Sequence, residues 1–152
     1  MIDFKKIPST REDLDSYEVN NVFRSWGYQP SQAPLRSEEM GAYLLERAME
    51  LKDKHPCIGD VRGLGLFVGL ELVKNRKTRN PIMPLNAKIL PGMNPKLAVA
   101  RKLGELGMIA MAANPGNVIA MAPALIVTKD EIDEGVAMMD EALNEADAFT
   151  EG

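Results

Sequence analysis

Met40, Leu44, Ala48 and Leu51 recur three or four residues apart, which puts them on one side of a helix over residues 38–54. Ser37 supplies an N-cap, Glu38 and Glu39 suit the helix's positive end, and His55-Pro56 stops it. The next run, CIGDVRGLGLFVGLELV, changes period. Leu64, Leu66, Val68, Leu70 and Leu72 alternate with Gly63, Gly65, Phe67, Gly69 and Glu71, which reads as one strand with a continuous apolar face. The glycines on its other face either let a helix or backbone come close or mark a bulge. KNRKTRNPIMPLNAKILPGMNP, with four prolines, reads as a long loop. Asn94-Pro95 then opens a second helix, whose stripe is Val99, Leu103 and Leu106 and whose stop is Gly107. MIAMAA and VIAMA flank Asn114-Pro115-Gly116-Asn117, the pattern of a hairpin. Thr128 and Glu131 have capping-box spacing ahead of a helix that buries Ile132, Val136, Met139 and Leu143.

Residues 1–36 lack such periods. TREDLDSYEVNNVF forms at most a short helix from Thr10 with Leu14 inward, and the prolines of SWGYQPSQAPL favour extended chain. The order arm, helix, strand, loop, helix, hairpin, helix predicts an α+β fold in two layers. Its small, mostly antiparallel sheet of about three strands is covered by helices on one face. Residues 1–36 form an N-terminal arm and 37–152 the domain proper, together one compact unit.

Composition narrows the function classes. The 152 residues suit a single domain, and 18 basic against 22 acidic side chains leave a net charge of -4. That balance argues against a dedicated nucleic-acid binder, which needs a basic face. No apolar run approaches the roughly 20 residues that span a bilayer, and the start MIDFKKIPSTREDLD is too charged for a signal peptide, so a cytoplasmic protein without a membrane partner is expected. A lone cysteine, Cys57, and a lone histidine, His55, provide neither an internal disulfide nor a metal site.

The run MGAYLLERAMELKDKHPCIGDVRGLGLFVGLELVKNRKTRNP, followed by KLGELGMIAM and GNVIAMAPALIVTKDEIDEGVAMMDEAL, resembles the small domain of class III aminotransferases, the PLP-dependent ω-type group. The likeness covers residues 40–145 in the family's order and includes its VRG-x-G motif at Arg62, Gly63 and Gly65 and its turn at Pro123. NNVFRSWGYQPSQAPL resembles the family's N-terminal segment, which implies a place at the substrate entrance for Trp26, Tyr28 and Gln29. In the family, a stretch longer than a typical whole domain separates these two segments. Here they join near Arg36-Ser37. The resemblance therefore implies that the large domain, with the Schiff-base lysine, the pyridinium-pairing aspartate and the phosphate loops, is missing, and that this chain alone binds no cofactor.

The residues support that expectation. A PLP site needs a lysine whose burial favours the neutral amine, and the ten lysines all stand in polar sequence settings, Lys88 the least so. GLGLFVG is one residue off the dinucleotide fingerprint and precedes no helix. Arg62 has Asp60 and Glu71 as local partners and reads as structural. Many relatives carry a substrate-gripping arginine shortly before a Pro-Pro-Leu turn, but IAMAPAL has Ala120 at that position and Ala124 for the second proline. His55 and Cys57 are close in sequence, yet adjacency does not orient a nucleophile pair. KNRKTR reads as a solvated basic loop.

Three functions compete. The chain is a small domain that cannot transaminate alone, a non-catalytic binding or oligomerisation module, or half of a split aminotransferase completed by a separate PLP-binding chain. Its expected partner is a second copy of itself or that large-domain chain.

Overall fold

The computed structural model describes residues 33–84, 94–112 and 116–151. Helix α1 spans Ala33–Lys54 and starts before Ser37, the expected cap. Pro34 explains the early start, because a first-turn proline lacks only an N–H that would go unpaired there anyway. Met40, Leu44, Ala48 and Leu51 are all buried, as the spacing predicts.

The CIGDVRGLGLFVGLELV run corrects the single-strand reading. It folds back on itself as β1 (Ile58–Leu64) and β2 (Phe67–Asn75), antiparallel, with Leu64 opposite Phe67 and a two-residue turn at Gly65-Leu66. Gly65 has φ +54°, which a glycine adopts freely at the first position of such a turn. The turn also moves Leu64 to the other face. Leu66, Val68, Leu70 and Leu72 are buried, whereas Leu64 is 90% exposed beside Phe67.

The expected long loop likewise begins with structure. β3 (Asn80–Pro81) pairs back onto β2 through the turn at 76–79, where Asn75 Oδ1 accepts the N–H groups of Lys77 and Thr78. Arg76 is no mere solvated charge: its Nε donates to Ile58 O at 2.9 Å and its Nη2 to the carbonyls of Lys52 and His55 at the end of α1.

Helix α2 (Pro95–Leu106) has the expected ends, with Asn94 Oδ1 accepting from Leu97 N and Gly107 left-handed at φ 95°. Val99 and Leu103 are buried and Leu106 is half-buried. β4 (Met111–Ala112) and β5 (Val118–Met121) form the predicted hairpin. Helix α3 (Lys129–Asp147) opens on the full capping box: Glu131 N donates to Thr128 Oγ1, and Thr128 N donates to the Glu131 carboxylate. Replacing Thr128 with alanine is expected to cost about 1 kcal/mol, read as a lower urea midpoint at unchanged slope.

The strands run in the order β1-β2-β5-β4, all antiparallel, with β3 added on β2. The sheet thus has five strands against the three expected, two of the five being only two residues long. Side chains of one face, including Val61, Val68, Leu70, Ile119 and Met121, meet the α1 and α3 stripes in one core. The fold is α+β in two layers.

Candidate functional site: the helix-free face of the sheet

Side chains that alternate with the core set point to the other face of the sheet. On β2 they are Phe67, Gly69 and Glu71, and the register aligns Arg62, Gly69, Ala120 and Met111 in one row across β1, β2, β5 and β4. Among the described residues, the helix side chains of the core cluster meet the opposite face, and a Cβ at Gly69 would find only Val118 and the Arg62 carbonyl. Leu64, Phe67 and Met111 stay 90%, 56% and 54% exposed around it.

Arg62 stands on this face. Its Nη1 donates to Asp60 Oδ2 and to Glu71 Oε2, each at 2.7 Å, so both local partners named by the sequence engage it. In return, Arg62 holds the Asp60 carboxyl below its ordinary range. Gly63 and Gly65 serve packing. A Cβ at Gly63 would lie 2.6 Å from the Phe67 carbonyl oxygen, and one at Gly65 would lie 2.5 Å from Ser37 Oγ. Both glycines line an open cleft of about 630 Å³ together with Pro34, Gly41, Leu45 and Leu64.

Pro123 is half-buried and lines a second cleft, of about 230 Å³, with Leu44, Met108, Met121 and Ile132. The turn that follows is held from a distance. Arg36 Nε donates to Leu125 O at 3.0 Å, and its Nη2 donates to Ile126 O at 3.3 Å and Val127 O at 2.9 Å. The sequence reading gave Arg36 no role. Trp26, Tyr28 and Gln29, expected at a substrate entrance, lie outside the described residues, as do Lys88 and the expected short helix from Thr10.

Neither cleft presents a lysine that could form a Schiff base with PLP. Lys96 departs from the polar setting expected of it: it is 4% exposed, and burial lowers its pKa. Yet its Nζ donates to Gly116 O at 2.7 Å, and Lys96 lines neither cleft. The two clefts hold one carboxylate each, Glu38 and Glu131, and no lysine. Nor do Cys57 and His55 pair. The Cys57 thiol points to Leu143 O at 3.9 Å and burial pushes its pKa up, while both His55 ring nitrogens face carboxylates.

Comparison with known proteins decides the family, because the aminotransferase class-III model matches residues 32–143. The chain belongs to the class III aminotransferases. It is 42% identical over 104 residues to taurine–pyruvate aminotransferase of Bilophila wadsworthia, covering 68% of this chain and 22% of that one. A leucine/methionine racemase of Thermococcus litoralis is 33% identical over 108 residues, again with 22% of its length covered. Among solved structures, taurine:2-oxoglutarate aminotransferase from Bifidobacterium kashiwanohense superposes with a TM-score of 0.68 at 26% identity, over 84% of this chain and 26% of that one. This class III chain therefore spans about a fifth to a quarter of the length of the relatives it matches.

Proposed function

We propose that this chain is the small domain of a class III aminotransferase, working against a PLP-bearing large domain that residues 1–152 do not supply. The helix-free face is the docking surface. The position of Ala120 carries this reading. The resemblance puts a substrate-gripping arginine there, and Ala120 lies in mid-sheet, in the row with Arg62 and Gly69. A face that carries the substrate anchor in relatives has to look toward the cofactor. A charge-assisted hydrogen bond is worth about 1.5–3 kcal/mol, so alanine there leaves carboxylate binding to another group.

The transferred group, between an amine or ω-amino acid and a keto acid, is part of the same reading, with the chemistry supplied by PLP on the large domain. The chain alone does not transaminate. A cytoplasmic setting goes with it, since Cys57 is a buried thiol without a disulfide partner. Among the described residues, no helix is long and apolar enough to cross a membrane.

The test is a PLP titration of the purified chain followed by borohydride reduction and intact mass. Weak labelling spread over several surface lysines is the expected result. One stoichiometric adduct on a single lysine, Lys96 above all, would overturn the reading.

A further inference from the structure

His55 directly follows the last residue of α1 and is 4% exposed. Its Nδ1 lies 2.6 Å from Asp147 Oδ2 and its Nε2 lies 2.7 Å from Asp140 Oδ1, both carboxylates standing on α3. A neutral imidazole has one N–H and one bare lone pair. It can donate to one of these carboxylates only, and its lone pair would then face the oxygen of the other. Contacts this short on both sides have the length of charge-assisted bonds.

The neighbours are consistent with a cation here. Lys54, at the end of α1, donates from Nζ to Asp140 Oδ2 at 2.9 Å. Lys54 first, then His55, holds the Asp140 carboxyl below the usual range, so it is anionic near neutrality. On the other side, Asp147 Oδ1 accepts the Cys57 backbone N–H at 3.0 Å, and the Cys57 thiol turns away toward Leu143. From the β2–β3 turn, the Arg76 guanidinium donates to the His55 carbonyl rather than to either carboxylate. The groups that face the ring are thus two carboxylates from α3, with one ammonium and one guanidinium at the periphery.

We infer that His55 is a buried imidazolium that clasps α3 to the end of α1, each ring N–H donating to its own carboxylate. Either neutral tautomer must give up one of the two bonds, and with it one α1–α3 tie.

His55 is the sole histidine of the 152 residues, so its ring signals need no assignment by mutation. Nitrogen-15 NMR of the full chain near neutral pH is expected to show protons on both ring nitrogens. A single neutral tautomer there would overturn the inference. Urea unfolding gives the second readout. His55→Gln, which cannot donate to both carboxylates from opposite sides, should lower the folding equilibrium constant at least about tenfold. An unchanged urea midpoint would equally overturn the inference. If His55→Gln fails to fold, the NMR result decides alone.

Discussion

Replacing Gly41 with alanine lowers the stability of the chain by about 1–3 kcal/mol, the usual cost of forcing an extra methyl into packed structure. The sign is opposite to the ordinary one, because glycine inside a helix is normally worse than alanine by roughly 0.5–1 kcal/mol. At Gly41 the new Cβ would overlap the backbone of Gly65, its carbonyl group and its Cα. Backbone cannot rotate out of the way as a side chain does. The turn has no slack either, since Gly65 is left-handed and a Cβ on it would lie only 2.5 Å from Ser37 Oγ. Helix α1 and the β1–β2 turn approach this closely because neither presents a side chain at the crossing. Gly104 in α2 is the control. Nothing lies within 4 Å of a Cβ there, so Gly104→Ala should stabilise by about 0.5–1 kcal/mol. Urea unfolding of the two variants should give opposite signs, and a gain at both positions would rule out the close crossing.

That crossing marks how far the sequence could be read. The ends of α2 and α3 were legible because their signals are local: Asn94, Pro95 and Gly107 in one case, Thr128 and Glu131 in the other. The stripes of α1 and α3 were legible for the same reason, and so were both partners of Arg62, one two residues away and one nine. The β1–β2 hairpin was hidden because a leucine at 66 continues the period-two pattern straight through its turn. What betrays the turn is Gly65, one glycine among several in the run.

Arg36 was illegible for a different reason. Its carbonyl partners lie 89 to 91 residues away, and nothing local marks an arginine that will satisfy backbone oxygens of a distant turn. Arg76 hid inside a run that looks like solvated charge. Lys96 was misjudged because a lysine's aliphatic stem can be buried under a polar sequence setting. As for the candidate site, the family likeness named Arg62, Gly63, Gly65 and Pro123 singly. The strand register is what adds Gly69 and Met111 and sets them in one row with Arg62 and Ala120, where the likeness expects an arginine.

Aspartate at both Leu64 and Phe67 is expected to abolish docking to a cofactor-bearing large domain while leaving the fold nearly intact. Leu64 has little packing to lose at 90% exposure, and Phe67 keeps over half of its surface in water. Substitutions at such positions usually change stability by about 0.5 kcal/mol or less, with somewhat more expected at Phe67. At an interface the same change acts differently. Two unpaired carboxylates would be desolvated on a face that already holds Asp60 and Glu71, with Arg62 committed to both of those. Losing two apolar contacts and burying unpaired charge together is worth about 2 kcal/mol or more, which corresponds to at least about a thirtyfold loss of affinity. The measurement is sedimentation of the chain with the PLP-binding portion of a class III aminotransferase co-expressed as a separate polypeptide. Met49→Asp, on the outer side of α1 at 43% exposure, serves as the control that should still associate. Association lost with the double variant and kept with Met49→Asp locates docking on the helix-free face. Association unchanged by all three aspartates would move the contact elsewhere, and no association even of the native chain would leave the chain without the partner proposed for it.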